Sequence, residues 1–222
     1  MPFCLKKTFL ERIADSLGIN KRFSRIEEDI IDYREGIIVS PVQATLFEYG
    51  DIKAGKLTSK NNREINLRDL IGDKEKIFSK GFFLNFYLSP KDKHYFRIPY
   101  NGKFTDTFFN KGKSKIPVFI GLDSLLHSSK FFQKAIKNNA SISCILKTKH
   151  FPILLIPVGS LFVNGIHIYS KENTSYKKGK VFGHFGLGSS MLLCFPDKDK
   201  IRLLIKKGQK VSLGQAIIEI KG

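Results

Sequence analysis

From Gly36 onward the chain consists of short apolar runs that are broken every few residues by glycine, proline or asparagine. The runs in the first half include GIIVSPV, ATLFEYGDI, GFFLNFYLSP and YFRIPYNGKF, and those in the second half include SISCILKT, FPILLIPVGSLFV, KVFGHFGLG, SMLLCF and IRLLI. Apolar runs of this length between turn-forming residues are typical of β-strands in sandwiches and barrels. We therefore predict a mainly β (α+β) fold, with one antiparallel β-rich, barrel-sandwich-like domain and helices at its periphery.

Helical patterns are confined to a few segments. Apolar side chains recur at helical spacing between Phe3 and Leu17, which predicts a short amphipathic N-terminal helix. Further helices are predicted at about Lys21–Asp32, Leu67–Lys80 and Ser128–Asn138. These patterns divide the chain into an N-terminal helical segment, residues 1–35, and a single β domain, residues 36–222.

The balance of charge limits the classes of partner. Thirty-eight lysines and arginines against 20 aspartates and glutamates leave a formal charge of +18. Such a surface suits a polyanion, either nucleic acid or a membrane rich in acidic lipid, although lysines that merely solvate the surface give the same total. Nucleic-acid binding has no recognised motif and rests on the net charge alone. On charge alone both kinds of polyanion stay open, and so does self-association into a homodimer.

No segment predicts a membrane span or an exported protein. The longest apolar run, Phe151–Val158, contains two prolines and is far shorter than a bilayer crossing. The charged N-terminus lacks the pattern of a secretory signal. Cys4, Cys144 and Cys194 are scattered and form no CxxC pair, which argues against a disulfide framework and against a metal site. We therefore expect a reducing interior as the compartment, and any contact with a membrane to be peripheral.

The segment that is most informative about chemistry is KKGKVFGHFGLGSSMLLCF, residues 177–195. Here Gly183, Gly186 and Gly188 precede two serines and an apolar strand. Glycines followed by serines also occur in ordinary turns, where glycine permits tight geometry and serine caps it. A phosphate-binding loop is excluded because no Lys-Ser/Thr step follows and a strand, not a helix, comes next.

The chain resembles the phosphatidylserine decarboxylase family in several segments that occur in the family's order. The family's Leu-Gly-Ser-Thr step before an apolar strand is matched by Leu187–Ser190. The other matches are a Ser-Pro-x-Asp-Gly turn at Ser40–Ala44, a Leu-Leu-Gly segment at Asp69–Gly72, a Ser-Pro-x-Asp-His motif with a basic and aromatic patch at Leu88–Gly102, and a Pro-Val-Gly-Ala/Ser segment at Pro157–Ser160. The resemblance covers about residues 30–222 and identifies the chain as a divergent member, with LGSS in place of LGST.

The resemblance implies that the chain processes itself. In the family, the serine hydroxyl attacks the preceding carbonyl, the resulting ester is eliminated, and the serine becomes a pyruvoyl group. Here this would split the Gly188–Ser189 bond and give a β chain of residues 1–188 and an α chain of residues 189–222 that carries the pyruvoyl cofactor. The family uses this ketone, which is conjugated to an amide, as an electron sink. The resemblance therefore implies decarboxylation of phosphatidylserine to phosphatidylethanolamine in phospholipid biosynthesis. Together with the basic charge, it also implies an anionic phospholipid surface as the partner, no specific nucleic acid, and a cytoplasmic protein that is peripheral at the inner membrane face.

Two positions depart from the family's self-cleavage triad of aspartate, histidine and serine. Gln43 stands at the position of the aspartate, and Arg97 stands at the position of the histidine. Glutamine carries no charge to favour an imidazolium, and a guanidinium stays protonated and cannot act as a base. The first histidine of the motif is retained as His94, which the resemblance assigns to decarboxylation as a proton donor to the product carbon. Without the resemblance, His94 fits a surface histidine beside Lys93.

Three interpretations follow from these substitutions. In the first, Ser189 is cleaved slowly with a substitute base, for which His94 and His184 are candidates, because positioning supports residual catalysis when triad members are lost. In the second, the chain is an unprocessed pseudoenzyme that binds acidic phospholipid without turnover. In the third, the two substituted motifs align differently with the family.

Overall fold

The computed structural model describes residues 3–4, 12–13, 16, 18, 26–58, 64–89, 91–112, 134, 136, 138–159, 165–185 and 189–221 of the 222-residue chain. The strands are β1 (Phe3–Cys4), β2 (Ile37–Val39), β3 (Ala44–Lys53), β4 (Lys56–Thr58), β5 (Glu64–Asn66), β6 (Phe82–Leu88), β7 (Tyr95–Arg97), β8 (Gly102–Asn110), β9 (Ser141–Lys147), β10 (Pro152–Gly159), β11 (Ile166–Ile168), β12 (Ser175–Tyr176), β13 (Val181–Phe185), β14 (Ser189–Phe195), β15 (Ile201–Leu203), β16 (Lys210–Val211) and β17 (Ala216–Ile220). Helix α1 spans Arg68–Ile71 and continues into a 3₁₀ segment, Gly72–Phe78.

Antiparallel pairing organises these strands into three sheets. The largest has the order β12-β8-β9-β10-β14-β6-β3-β4-β5, with β16 also paired to β3, and it curls into a half-barrel. A second sheet has the order β1-β11-β13-β7, and the third has the order β15-β17-β2. The prediction of a mainly β, antiparallel fold is therefore confirmed.

Strand β14 lies in the large sheet between β10 and β6, and all of its residues are buried. Met191 and Leu193 belong to the larger apolar core, whereas Leu192 and Cys194 belong to a smaller core on the opposite face. Successive side chains of a strand point to opposite faces, so a strand covered on both faces is apolar at nearly every position. This explains why SMLLCF lacks polar alternation, and it means that the strand beginning at Ser189 is packed on both sides.

Gly183, in the glycine-rich segment before the serines, is required by packing. A Cβ atom at this position would lie 2.3 Å from the carbonyl oxygen of His167 and 2.3 Å from a ring carbon of Phe96. The bare backbone lets the Phe96 ring lie against β13, where its centroid is 4.7 Å from that of Phe182 and 4.8 Å from that of Phe185. At this position glycine therefore serves the contact between β7 and β13.

The prediction of a helix at about residues 21–32 is wrong for residues 26–32, the part of this range that the structure describes. Residues 26–34 form no helix. Ile31 instead packs against Gly179 and Gly214, and the Asp32 amide donates to the Gly214 carbonyl oxygen at 3.0 Å. Contacts with the β domain therefore outweigh the local helical pattern, because intrinsic helix propensity is a weak preference.

The other predicted helices have different outcomes. The N-terminal prediction holds only in part: Phe3–Cys4 form a strand, while residues 12, 13 and 16 are helical. Helical structure at Leu67–Lys80 is confirmed by α1 and the 3₁₀ segment. The segment Ser128–Asn138 lies largely outside the described residues, of which 134, 136 and 138 are helical. The domain boundary between residues 35 and 36 stays a prediction.

Candidate active site

Ser189 is the first residue of β14 and lies at the end of the strand where the glycine-rich segment enters the sheet. Its register partners are Gly159 on β10 and Leu88 on β6. The residue is 0% exposed, and its hydroxyl has no hydrogen-bond partner among the residues that the structure describes. A buried polar group without a partner costs about 1–3 kcal/mol, so such groups are uncommon in well-packed strands. Gly188, the other side of the predicted cleavage bond, lies outside the described residues.

The segments that resemble the decarboxylase family converge on this serine. Gly159 comes from the Pro-Val-Gly segment, and Leu88 opens the Ser-Pro-x-Asp-His motif. On the far side of β10, the buried Asn139 donates a hydrogen bond from Nδ2 to the Gly159 carbonyl oxygen at 2.8 Å. Three stretches that are far apart in sequence therefore meet around Ser189.

A tight turn after β6 carries His94 to the same end of the sheet. The Asp92 amide donates to the Ser89 carbonyl oxygen at 3.0 Å, and the Ser89 amide donates to Asp92 Oδ2 at 2.8 Å. Lys210 Nζ lies 2.7 Å from the other carboxylate oxygen of Asp92. The carbonyl oxygen of His94 then accepts a hydrogen bond at 2.7 Å from the amide of Phe185, four residues before Ser189. His94 thus lies between the turn that follows Leu88 and the segment that leads to Ser189.

The environment of His94 sets its protonation. The ring is fully buried, and its Nδ1 lies 2.6 Å from the carbonyl oxygen of Asp92. A carbonyl can only accept, so Nδ1 carries the proton and Nε2 is the basic nitrogen of the neutral ring. Burial lowers the pKa of His94 below its ordinary value, although the carbonyl and the charge of Asp92 act in the opposite direction. The expectation of a surface histidine is therefore wrong, because the side chain is buried and the Asp92 carbonyl orients its ring.

The segments that carry the two predicted triad positions, Gln43 and Arg97, contact each other. Gln43 accepts a hydrogen bond from the Lys93 amide at its Oε1, at 3.1 Å. The Arg97 amide donates to the Pro41 carbonyl oxygen at 2.9 Å. The turn at residues 40–44 and the histidine motif therefore contact each other, as expected if both are matched correctly to the family.

The Arg97 side chain binds the segment that precedes the β domain. Its Nε lies 2.8 Å from Asp29 Oδ2, its Nη1 donates to the Gly179 carbonyl oxygen at 2.7 Å, and its Nη2 donates to the Glu27 carbonyl oxygen at 2.9 Å. Burial would raise the pKa of Asp29, but hydrogen bonds from Lys93, Tyr95 and Arg97 outweigh it and hold that pKa below its ordinary value. Arg97 thus has a structural partner, which explains how an arginine is accommodated at this position.

We expect Arg97→Ala to release residues 26–32 from the β domain, because the buried Asp29 carboxylate loses a hydrogen-bonded partner. Hydrogen bonds to charged groups contribute about 1.5–3 kcal/mol, so the Asp32 amide should exchange with solvent on the order of 30-fold faster. Arg34→Ala is the matched control, because its ion pair with Asp32 leaves the arginine side chain 73% exposed. Equal exchange rates in the two variants would contradict the anchoring role of Arg97.

His184 lies on the outer face of the four-stranded sheet. It is adjacent to Phe185, whose side chain points into the larger core, and neighbouring residues of a strand point to opposite faces. Its ring stacks on His167 with centroids 4.4 Å apart, and its Nδ1 hydrogen-bonds the Tyr169 hydroxyl. The structure therefore places the His184 side chain on the outer face of its sheet, whereas the His94 side chain is fully buried.

Sequence reasoning missed three contributors to this site. Asp92 could have been found, because Ser-Pro-x-Asp is a signature of a side-chain-capped turn. Asn139 and Asp29 left no signal, since each acts on a residue far away in the sequence: Asn139 on Gly159, and Asp29 on Arg97.

The described residues contain neither a metal-binding cluster nor a membrane-spanning helix. No group of three or more histidine, cysteine, aspartate or glutamate side chains is arranged there to hold a metal ion. None of the helices in the described part of the chain is long and apolar enough to cross a bilayer. Cys144 and Cys194 are free and buried, and burial raises the pKa of the Cys144 thiol to about 12.

Ser189 lies buried at the start of a central strand, without a side-chain hydrogen-bond partner among the described residues, and the buried His94 lies at the same end of the sheet. These features define a β scaffold with a candidate serine-centred site. The family model for phosphatidylserine decarboxylase matches residues 20–219, and the chain therefore belongs to that family. Relatives described as phosphatidylserine decarboxylase proenzyme occur in Bacillus thuringiensis (strain Al Hakam), Bacillus cereus (strain 03BB102) and Bacillus anthracis (strain CDC 684 / NRRL 3495). Each is 27% identical over 191 residues, which cover 84% of this chain and 70% of the relative.

Proposed function

We propose that this chain is a proenzyme that cleaves itself between Gly188 and Ser189 and then converts phosphatidylserine to phosphatidylethanolamine at an anionic membrane surface on the cytoplasmic side. The observation that carries the proposal is the Ser189 hydroxyl, which is fully buried and without a partner among the described residues. Membership of the decarboxylase family and the relatives' description as proenzymes support it.

Self-cleavage requires Ser189 to act as a nucleophile. Its Oγ attacks the Gly188 carbonyl carbon, the peptide C–N bond breaks, and an ester forms while the nitrogen of Ser189 becomes a free amine. Loss of the α-proton of Ser189 expels the Gly188 carboxylate and leaves dehydroalanine. Hydrolysis of dehydroalanine releases ammonia and leaves a ketone at the new N-terminus. Each step moves a proton, so a base near the serine is needed.

We assign that base to Nε2 of His94. The Asp92 carbonyl oxygen holds the ring through Nδ1, in the orienting position that a carboxylate occupies in an ordinary serine triad. A neutral carbonyl orients the imidazole but stabilises an imidazolium less than a carboxylate does. We therefore expect self-cleavage to occur, and to be slower than in a chain with the full triad of aspartate, histidine and serine.

The residues around Ser189 fit the pyruvoyl group that would be made from it. Conversion of the serine to a ketone removes a buried hydroxyl that has no partner in the described structure, so no side-chain hydrogen bond to the described residues is lost. The pyruvoyl group supplies an electron sink for the loss of the substrate carboxylate. His94 can take up and return a proton at Nε2, and the burial of its ring excludes water from that exchange.

The proposal is tested by the intact mass of the purified protein and by its turnover of lipid. We expect two fragments, residues 1–188 and residues 189–222, with no free amine at the start of the smaller one. Vesicles that contain phosphatidylserine should yield phosphatidylethanolamine and carbon dioxide. A single full-length species that persists through long incubation, with no product, would establish the unprocessed pseudoenzyme instead.

A further inference from the structure

Four lysines surround one concave site at the edge of the large sheet. Lys103, Lys147, Lys149 and Lys177 line a cleft of about 510 Å³, together with the hydroxyl-bearing Ser175 and Tyr176. The lysines come from β8, from β9 and the turn after it, and from the loop after β12, and all four are exposed. No carboxylate lines the cleft, so its surface is strongly cationic.

The register of the sheet places two of these lysines directly opposite each other. Lys103 on β8 pairs with Lys147 on β9. Like charges at directly opposite positions of an antiparallel pair destabilise the sheet. Within the described part of the chain, neither Lys103, Lys147 nor Lys177 has an ion pair, whereas Lys149 pairs with Glu35. An anion bound between the two ammonium groups would be attracted by both and would offset their mutual repulsion.

The cleft is separate from the candidate active site. Lys147 pairs with Pro152 at one end of β10, and Ser189 pairs with Gly159 at the other end. Seven residues of extended strand separate these two ends, which is about 23 Å at ~3.3 Å per residue. An anion in the cleft therefore does not occupy the position of the reacting substrate.

An exposed aromatic side chain lies next to the cleft, and an exposed isoleucine precedes it by three residues in the chain. A second cleft of about 340 Å³ shares Asn101 and Lys149 with the first and is also lined by Tyr33. Tyr33 is 70% exposed, and Ile30, three residues earlier, is 95% exposed. Lysines beside exposed apolar side chains are typical of surfaces that lie on a membrane interface. Binding of a free phosphate ion, in contrast, gains nothing from an exposed apolar side chain.

We propose that the lysine cleft, together with Ile30 and Tyr33, is the docking surface for anionic phospholipid, with the lipid phosphates held between Lys103 and Lys147. The inference rests on the proposed function only in the choice of a lipid partner. It requires neither cleavage at Ser189 nor decarboxylation. Docking through this surface holds the protein on the membrane while the site at the other end of β10 takes its substrate.

The test measures binding of the full chain, in a Ser189→Ala background, to phosphatidylcholine vesicles that contain phosphatidylglycerol. Phosphatidylglycerol carries the phosphate but not the serine group, so binding reports on docking and not on the reaction. Each lysine near an anionic membrane contributes about fivefold in affinity, so the double variant Lys103→Gln/Lys147→Gln should partition about 25-fold more weakly and with a smaller salt dependence. Its thermal midpoint should not fall, because the substitution removes repulsion.

The matched control is Lys76→Gln/Lys80→Gln, which removes the same charge from exposed lysines at the 3₁₀ segment and the turn that follows it. This control should bind within about twofold of the parent, since it lies off the proposed docking surface. Equal losses in the two double variants would show that diffuse net charge drives binding and would overturn the proposal. Unchanged binding in both would overturn it as well.

Ile30→Ser tests the apolar part of the surface, and at 95% exposure it should not affect folding. We expect it to weaken vesicle binding severalfold with an unchanged salt dependence. Binding that is fully competed by glycerol phosphate and is insensitive to Ile30→Ser would make the cleft a site for a soluble phosphate compound and would overturn the docking surface. Failure of self-cleavage in the parent protein would leave the vesicle result unaffected, so the two proposals fail independently.

Discussion

Replacing Ser189 with alanine is expected to leave the chain as a single full-length species, with no phosphatidylethanolamine produced. The variant lacks the oxygen that must attack the Gly188 carbonyl, so the effect is complete loss and not a reduced rate. The substitution should not unfold the protein, because the Ser189 hydroxyl is buried without a partner among the described residues. Intact mass after prolonged incubation, with circular dichroism to verify folding, measures both expectations.

Ser190→Ala is the matched control for this experiment. Ser190 is also fully buried, and its hydroxyl likewise has no partner in the described structure. It is adjacent to Ser189 on β14, so its side chain points to the opposite face of the sheet, that of its register partner Val158. We expect Ser190→Ala to cleave at close to the parent rate. Cleavage of the Ser189→Ala chain at the same bond would eliminate the serine mechanism.

Replacing His94 with glutamine is expected to slow self-cleavage by about 100-fold or more, which is the usual contribution of a positioned general base. Glutamine keeps a buried polar side chain but offers no nitrogen that can accept a proton near neutral pH. The rate is measured by following the full-length band from the moment of synthesis. Circular dichroism of the variant separates loss of the base from loss of the fold.

The pH dependence of cleavage distinguishes a base from a merely structural residue. Burial lowers the pKa of His94 in the folded chain below its ordinary 6.5. The neutral ring therefore persists at pH 7, and the cleavage rate should be level there and fall only below pH 6.5. The same residue affects folding: its contribution to stability is complete above pH 6.5 and is lost between that pH and the folded pKa. The His94→Gln variant should show neither effect.

His184→Ala provides the control for the histidine experiment. His184 stacks on His167 on the outer face of its sheet, so its loss should change the cleavage rate by no more than about threefold. Loss of cleavage in His184→Ala, with normal cleavage in His94→Gln, would reverse the assignment of the base. Loss in both variants, with folding intact, would assign the two histidines to one proton-transfer chain.

The parts of this fold that could be predicted from sequence are those in which the local pattern and the tertiary environment agree. The run SMLLCF is apolar at nearly every position because both of its faces are covered, and it forms β14 as predicted. The helical pattern near residues 26–32 failed because Ile31 and Asp29 are held by partners in the β domain. A single-sequence pattern carries no information about partners so far away along the chain.

The residues of the candidate site also separate into those that local sequence predicts and those whose partners appear only in the folded chain. Ser189 and His94 were predicted from motifs, because the proposed chemistry requires those residue types next to particular neighbours in the sequence. His184 was proposed because it lies five residues before Ser189 in the sequence. Side chains alternate along β13, however, so His184 points to the face of its sheet opposite to the larger core, into which Phe185 points. The partner of Arg97 could not be predicted, since Asp29 lies outside the motif and reaches it only when the chain folds.

By itself, the sequence determined the β architecture, the serine after the glycine-rich segment and the loss of two triad residues, because these depend on residue identity and local spacing. Only the tertiary structure decided that Ser189 is buried beside Gly159, that burial lowers the pKa of His94 while the Asp92 carbonyl orients its ring, and that Arg97 anchors the preceding segment. Protonation and orientation depend on burial and on hydrogen-bond partners. Those partners come from strands that are adjacent in the sheet but distant in the chain.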